Sequence, residues 1–530
     1  MIRFLAALAT ICLSTACARA SREGGRPPNI ILFLVDDMGQ QDASVPMLDR
    51  ASLLNQRFRT PHLARLASRG VRFSNAYSAA PVCTPSRTSI LCGQSPARTH
   101  ITYWTLARDT DTSARHEHLV QPRWEVNGLQ PSPDLLPELL RKSGYRTIHA
   151  GKAHWGAAGT DGADPLAMGF DVNIAGHAAG APGSYLGRDH FKDSARKQRG
   201  KLPPEEAPPS VWDVPGLGRW HGTDTWLDDA IAREASDAIG SAVREDKPFF
   251  LAFCPYGVHA PIMPDPRFAD DYPGLDDTER AYASMVAAVD DALGQLVARC
   301  EALGVLDSTV IVFTSDNGGL SAHARGAAPD GEKHHTHNAP LRSGKGSAYE
   351  GGIRVPFVAA GPGIPARSTP DPTPLVGTDL YPTFLALAGI RAPAGRVLDG
   401  VDLSPVLSPV LSPVPGAVGA MPDRTILFHQ PHKWGPDGPG IEPFSAIRRG
   451  DWKLIWFHDD LGLGAPRLEL YDLAHDPGET KDCASTHPER REQLARILRA
   501  ALEEAHAQLP GRRDGTGPIP IPGAAIAGSP

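Results

Sequence analysis

The sequence predicts an α/β fold: a large domain with a mostly parallel, mixed sheet flanked by helices, then a smaller C-terminal domain with an antiparallel sheet and one helix. Three observations predict it. Apolar, β-branched runs alternate with helical patterns as far as Asp402. Those runs are apolar at successive positions rather than at every second one, which suits strands buried on both faces. Past Asp402 the pattern changes to short strand-like pieces with turns between them, closed by an amphipathic helix.

The strands of the large sheet are expected at Asn29–Val35, Tyr145–Ala150, Pro248–Phe253, Thr309–Thr314 and Val355–Ala360. Helices are expected at Pro61–Arg69, Pro133–Lys142, Asp224–Arg244, Thr278–Ala302 and Leu380–Leu387. Thr60-Pro61 offers an N-cap and a first-turn proline, and Gly70 a stop. Leu-Ser-Pro-Val then repeats from Leu403, Leu407 and Leu411, with a period too short for a solenoid, which reads as a linker. Four short strands follow, at Thr425–Gln430, Ser445–Arg448, Trp452–Phe457 and Arg467–Asp472, and a helix from Pro488 to Gln508. These bounds place an export signal at 1–20, a catalytic α/β domain at 27–405, a smaller α+β domain at 421–508 and a disordered tail at 509–530. Gly156–Gly222 is irregular and rich in Gly and Pro, the composition of a long functional loop.

Composition excludes several function classes. A net charge of −7 without a basic run argues against a nucleic-acid partner. Arg3, the apolar run Phe4–Leu13 and the small residues Ser14–Ala18 read as an export signal, too short to span a bilayer, so the protein is expected in the periplasm or outside the cell. Leu13-Ser14-Thr15-Ala16-Cys17 resembles a bacterial lipobox, with the leucine one position further from the cysteine than usual, so a lipid anchor at Cys17 is an alternative to release. No later apolar run is long enough for a transmembrane span. The seven cysteines are scattered without a CxxC pair, which argues against zinc and against a dense disulfide framework. The pairing of Cys92, Cys254, Cys300 and Cys483 stays open.

The polar residues fall at strand ends. Ile30–Val35 runs into Asp36-Asp37, Thr147–Ala150 into Gly151-Lys152-Ala153-His154, Phe249–Phe253 toward His259, and Val310–Thr314 into Asp316-Asn317. An open α/β sheet binds ligands beyond the carboxyl ends of its strands, so these residues are expected on one rim. Carboxylate and amide oxygens suit a hard divalent cation, calcium or magnesium. His154 and His259 titrate near neutral pH and suit proton transfer. Lys345 lies in a glycine-rich stretch before a strand, where it can hold an oxyanion. His334, His335 and His337 lie in a polar loop with a substrate-side or solvent role.

Cys83-Thr84-Pro85-Ser86-Arg87 opens a helix, where free N–H groups and the helix dipole favour anionic chemistry. This stretch resembles the Cys-x-Pro-x-Arg signature of the type I, formylglycine-dependent sulfatases of the alkaline phosphatase superfamily. The likeness extends in order through Asp36-Asp37, Gly151-Lys152-x-His154, His259-Ala260-Pro261, Asp316-Asn317-Gly318 and Leu341-Arg342-x-Gly-Lys345, and covers roughly Asn29 to Asp482. Leu470-Tyr471-Asp472-Leu473 with Asp476-Pro477 and Glu479 resembles the family's small domain. One departure is Ala153 and Trp155 around His154, where relatives often carry Trp and Leu; a local packing change is expected there. The resemblance implies an alkaline-phosphatase-like fold and an enzyme whose Cys83 is oxidised to formylglycine by a formylglycine-generating enzyme during maturation. It implies calcium held by Asp36, Asp37, Asp316, Asn317 and the modified Cys83, with Lys152 and Lys345 on the sulfate oxygens. A hydroxyl of the hydrated aldehyde would attack sulfur with Asp316 as base, His259 would protonate the departing alcohol, and His154 would take a proton from the second hydroxyl to expel sulfate. Arg87 would hold the hydrate.

The expected function is hydrolysis of a sulfate ester on a carbohydrate or aryl substrate, the partner being a sulfated small molecule or glycan. Gly156–Gly222 and His323–His337 are expected to shape the substrate pocket. A phosphonate monoester or phosphodiester hydrolase on the same scaffold, and a non-catalytic carbohydrate-binding surface protein, remain as alternatives.

Overall fold

The computed structural model describes residues 26–326, 334–407, 421, 423–459, 467–515 and 517–523. The expected export signal, Cys17 and the Leu-Ser-Pro-Val repeats beyond Leu407 lie outside the described residues.

Asn29–Val35 (β1) is the spine of the large sheet. It is buried along its whole length: Ile31, Phe33 and Val35 enter one core, and Ile30, Leu32 and Leu34 the other. A strand apolar at every position needs two covered faces, and here it has them. Around it lie Gly70–Arg72 (β2), Arg146–Gly151 (β3), Val172–Ile174 (β4), Phe249–Cys254 (β5), Thr309–Ser315 (β6) and Phe357–Ala360 (β7). Their order is β2-β7-β6-β1-β5-β3-β4. The run from β6 to β4 is parallel, and β7 is antiparallel to both of its neighbours. Ile30 pairs with Phe250 on one side and Val310 on the other. The short edge strands β2 and β4 were not expected: three residues each are too few to show a period, and Gly70 starts β2 instead of only ending a helix. A Cβ at Gly70 would lie 2.0 Å from the carbonyl oxygen of Ala359, so the close approach requires glycine.

Helices cover both faces. Pro61–Ser68 (α1), Leu227–Arg244 (α4) and Asp277–Ala302 (α5) pack on one, and Cys83–Cys92 (α2), Leu136–Lys142 (α3) and Leu380–Leu387 (α6) on the other. Asp276 caps α5 by accepting from the amides of Thr278 and Glu279. Two starts fall later than expected: α3 begins at Leu136 rather than Pro133, and α4 at Leu227 rather than Asp224.

Thr425–Gln430 (β8), Phe444–Arg449 (β9), Trp452–Phe457 (β10) and Arg467–Asp472 (β11) form an antiparallel sheet in that order. One face, with Ile447, Leu454, Trp456 and Leu470, packs on Leu494, Leu498 and Leu502 of the last helix, Pro488–Glu504 (α7). The other, with Phe428, Phe444, Ile455 and Phe457, packs on Tyr77, Tyr349 and Ile353 of the larger body. Three fully buried charges sit at this junction: Lys453 Nζ donates to Glu350 at 2.9 Å and to Glu479 at 2.8 Å. Tyr77 donates to Glu350 at 2.7 Å and Arg354 donates to it at 3.2 Å.

The stretch after Leu509 corrects an expectation. Instead of a disordered tail from 509, Gly511–Arg512 pairs antiparallel with Leu119–Val120, and Ile519 is buried in the α7 core beside Leu509 and Ile521. Three aliphatic side chains among the prolines and glycines give the segment something to bury. Helix α7 itself ends at Glu504, four residues short of the expected Gln508. Among the described residues no helix is long and apolar enough to cross a membrane.

Candidate active site

Strands β6, β1, β5 and β3 are parallel neighbours, so their carboxyl ends lie side by side. Asp316 and Asn317 follow β6, Asp36 and Asp37 follow β1, His259 follows β5 after a short turn, and Lys152 and His154 follow β3. Cys83 is the first residue of α2, a helix buried at every position. Asp37 and His154 adopt φ of +60° and +54°, a conformation that costs an L residue energy and recurs where function fixes a side chain.

These residues converge. The Cys83 thiol lies 3.7 Å from Asp36 Oδ1 and 3.9 Å from Asp37 Oδ1, and Lys345 Nζ is 3.4 Å from Cys83 Sγ. Lys152 Nζ grips both oxygens of Asp36 at 2.8 and 2.7 Å, and Lys345 Nζ lies 2.6 and 2.8 Å from the two oxygens of Asp37. Arg87 Nε donates to Asp316 Oδ2 at 2.6 Å, and its Nη1 to the Lys152 carbonyl at 2.8 Å. Asn317 Nδ2 donates to Asp37 Oδ1 at 2.8 Å, and the Asp37 amide to Asp316 Oδ1 at 3.2 Å.

Burial raises all three carboxyl groups, and the neighbouring cations decide the outcome for each. For Asp36 burial wins over Lys152, and its pKa stands well above the usual range. For Asp37 the charges of Lys345 and His259 overcome burial and hold it low, and for Asp316 Arg87 and Lys152 do the same. The Cys83 thiol is pushed up to about 12 by burial, despite Lys152 and Lys345. At neutral pH it is a protonated thiol and a poor nucleophile.

The donor set fits a hard cation. One ligand atom each from Asp36, Asp37, Cys83 and His259 lies within 4.8 Å of the others. Among the described residues Asn317 Oδ1 has no hydrogen-bond partner, a buried, orphaned oxygen acceptor beside Asp37. Apart from the Cys83 and His259 side chains, the donors are carboxylate and amide oxygens, as calcium or magnesium prefers.

The histidines have fixed tautomers. His154 Nε2 lies 2.9 Å from the Thr105 carbonyl, which can only accept, so Nε2 carries the proton and the buried Nδ1 keeps a free lone pair. Burial and the Lys152 charge hold His154 well below its usual pKa, so it is a neutral acceptor. His259 Nδ1 is bound to the Ala260 carbonyl at 2.8 Å, which leaves Nε2 facing Asp37 Oδ2 at 3.6 Å. Burial and Lys345 lower His259 to about 3. An anion seated at Lys345 offsets that charge and favours its protonation. The turn that carries His259 is pinned by buried Asp228 on α4, which accepts from the amides of Tyr256 at 2.8 Å and Gly257 at 3.2 Å.

A cavity of about 210 Å³ opens over Cys83, His154, His259 and Lys345, with the half-buried indoles of Trp104, Trp212 and Trp434 in its wall. Gly156–Gly222 contributes Gly180, Ala181 and Trp212. Of the described residues of His323–His337, His323 packs on the pocket's Trp434, edge to face at 4.8 Å, while His335 Nδ1 bonds to Ser321 at 3.0 Å and His337 turns to Glu279 at 3.9 Å. The tryptophans, Thr105 and Asp228 escaped the sequence reading. Trp104 and Trp212 stand in irregular stretches and Trp434 in the small domain, so no period marks them; Asp228 looked like an ordinary first-turn acid. Trp155, the departure beside His154, is buried and stacks on Phe170 at 5.6 Å. Cys92, Cys254, Cys300 and Cys483 are all free thiols.

The Sulfatase family model matches residues 28–390, and that of the N-sulphoglucosamine sulphohydrolase C-terminal region matches residues 344–508. N-acetylgalactosamine-6-sulfatase of Homo sapiens is 30% identical over 523 residues, covering 92% of this chain and 87% of that protein. Arylsulfatase A of Homo sapiens is 30% identical over 518 residues, covering 91% and 89%. The solved structure of Ps i-CgsB in complex with k-i-k-neocarrahexaose is similar with a TM-score of 0.70 and 26% identity, over 90% of this chain and 93% of that one. The chain therefore belongs to the sulfatase family of the alkaline phosphatase superfamily and is a sulfuric ester hydrolase.

Proposed function

We propose that the chain hydrolyses a sulfate ester of a carbohydrate or aryl alcohol at Cys83 converted to formylglycine, beside a calcium ion held by Asp36, Asp37, Asp316, Asn317 and the Cys83-derived side chain. The observation that carries this reading is the placement of Cys83 Sγ between Lys345 Nζ at 3.4 Å and Asp36 Oδ1 at 3.7 Å. A thiol held protonated there is a poor nucleophile; the aldehyde hydrate supplies a hydroxyl to attack sulfur and a second hydroxyl through which sulfate leaves. A calcium ion held by Asp36, Asp37, Asp316 and Asn317 would supply Lewis-acid polarisation of the sulfate.

The chain's own groups do the rest. Lys152 and Lys345 hold sulfate oxygens and offset the charge that develops on them. Arg87 fixes Asp316, which receives the proton of the attacking hydroxyl, and orients the Cys83-derived side chain. His259, protonated at Nε2 once an anion fills the site, donates to the leaving alcohol oxygen. His154 Nδ1 accepts the proton of the second hydroxyl.

Maturation by a formylglycine-generating enzyme, export to the periplasm or beyond by residues 1–20, and lipid attachment at Cys17 as an alternative to release complete the proposal. So does a division into a catalytic unit at 27–405 and a smaller unit at 421–508. The test is mass spectrometry of the peptide spanning Cys83, from protein made with and without the generating enzyme, beside sulfate release from 4-nitrophenyl sulfate. Activity that tracks the aldehyde is expected; a plain cysteine in fully active protein overturns the mechanism. Mass spectrometry of the mature N-terminus separates cleavage after Ala18 or Ala20 from a lipid at Cys17.

A further inference from the structure

We infer that the pocket takes the sulfate ester of a single uncharged flat ring, an aryl ring or the C–H face of a neutral terminal pyranose, and rejects rings bearing a second anion. This rests on the catalytic reading above and adds the substrate class. Among the described residues, the charged or titratable groups of the cavity wall are Cys83, His154, His259 and Lys345, the same four to which the catalytic reading gives the sulfate. What remains is Val82, Gly180, Ala181 and the indoles of Trp104, Trp212 and Trp434, none of which carries charge.

The collar is built in place. Trp434 comes from the loop between β8 and β9 and lies against Gly346, where a Cβ would be 2.0 Å from the indole Cε3. Lys345 Nζ stands 5.8 Å from the Trp434 ring centroid, and the His323 edge meets its face at 4.8 Å with planes at 77°. Among the described residues both ring nitrogens of His323 are buried without hydrogen-bond partners, and the imidazole packs on Trp434. At Gly180 a Cβ would come within 2.3 Å of His154 Cε1, so the pocket backbone lies flat on that ring as well. Aromatic faces fixed this way bind flat apolar surfaces with little ordering cost.

Two magnitudes set the substrate class. A cavity of about 210 Å³ is below the roughly 300–1,000 Å³ of pockets that enclose drug-sized ligands, and suits one ring. A carboxylate or second sulfate on that ring would lose water against indole and alanine, and among the described wall residues the one lysine, Lys345, is already taken by the first sulfate; a buried charge without a partner is strongly disfavoured.

The experiment pairs binding with turnover. The Cys83→Ala chain is titrated calorimetrically with N-acetylgalactosamine 6-sulfate, 4-nitrophenyl sulfate, inorganic sulfate and a sulfated disaccharide whose terminal ring carries a uronate, and the formylglycine-bearing enzyme is assayed on the three esters. The two neutral-ring esters are expected to bind, and to turn over by kcat/KM, at least about tenfold better than the uronate-bearing one. Trp434→Ala and the milder Trp212→Ala are expected to raise KM for neutral-ring esters about tenfold with little change in inhibition by inorganic sulfate. Equal or better binding of the uronate-bearing ester, or an unchanged KM in both tryptophan variants, overturns the inference and leaves the catalytic reading standing. Selective binding of neutral-ring esters by Cys83→Ala, with no hydrolysis by aldehyde-bearing enzyme, overturns the catalytic reading and keeps the pocket assignment.

Discussion

Arg87 Nε and Asp316 Oδ2 are 2.6 Å apart, both side chains fully buried, on a helix and a strand end 229 residues apart in sequence. The guanidinium also lies 3.9 Å from Asp36 and donates to the Lys152 carbonyl, so one side chain ties α2 to the ends of three strands. Removing one member of a buried ion pair leaves the other charge without compensation, at a cost of about 3–5 kcal/mol. Arg87→Ala is therefore expected to lower the free energy of unfolding by that amount, read as a lower urea midpoint, and to abolish turnover. Arg87→Lys keeps the charge but loses the planar fork, and should recover part of the stability and little of the activity. An unchanged midpoint in Arg87→Ala would contradict this account.

The orphaned Asn317 Oδ1 yields a metal-linked prediction. Protein stripped with chelator should melt at a lower temperature than protein in calcium, because a ligand that binds only the folded state stabilises it, by about 2.7 kcal/mol at a hundredfold excess over Kd. Asn317→Ala should shrink the calcium response in differential scanning calorimetry. An identical response in that variant removes Asn317 from the ligand set.

His259 is assigned the leaving-group proton, so its loss should depend on how much the alcohol needs one. His259→Ala is expected to lower kcat/KM on alkyl and sugar sulfates by about 10²–10⁴-fold, the usual range for a general acid. The loss on 4-nitrophenyl sulfate, whose phenolate leaves unaided, should be much smaller. Equal losses on both substrates, measured by sulfate release, assign His259 to binding instead.

Asp228 gives a pH prediction. Burial raises its carboxyl to about 7, against the two backbone amides that favour ionisation. The folded pKa exceeds the unfolded value of 3.8, so the folded state binds the extra proton between them. Stability from this group is complete below the unfolded pKa and is lost as pH rises through about 7, by about 1.4 kcal/mol for each unit traversed. Asp228→Asn does not titrate. Its free energy of unfolding relative to the parent should therefore improve steadily from pH 4 to pH 7.5 in urea titrations. A flat difference across that range contradicts the assignment.

The sheet and its rim were readable because both are consequences of local pattern. β1, β5 and β6 are buried on both faces, so their apolar runs are unbroken; β1 and β6 end abruptly in the polar residues that reach the site, and β5 reaches His259 after a short turn. Asp36, Asp37, Asp316 and Lys152 meet because parallel neighbours present the same ends to one edge, a rule that needs no coordinates, and Cys83 joins them from the start of α2. The pocket wall was not readable. Trp104, Trp212 and Trp434 come from irregular segments far apart in sequence, and an indole in such a segment carries no sign of what it faces. The edge strands β2 and β4 are too short to show alternation, and the chain beyond Leu509 was misjudged because its few aliphatic residues are outnumbered by Pro, Gly and Ala.

The Glu350–Lys453–Glu479 cluster makes the two sheets inseparable. Glu350 belongs to the larger body, while its ammonium partner and the second carboxylate arrive from the C-terminal portion, all without access to solvent. Cutting the chain between the sheets would take from Glu350 its Lys453 partner, open the apolar seam to water and remove the Trp434 wall in the same stroke. Truncations ending before β10 lose Lys453 and Glu479 together, and are expected to fold poorly and to show no turnover.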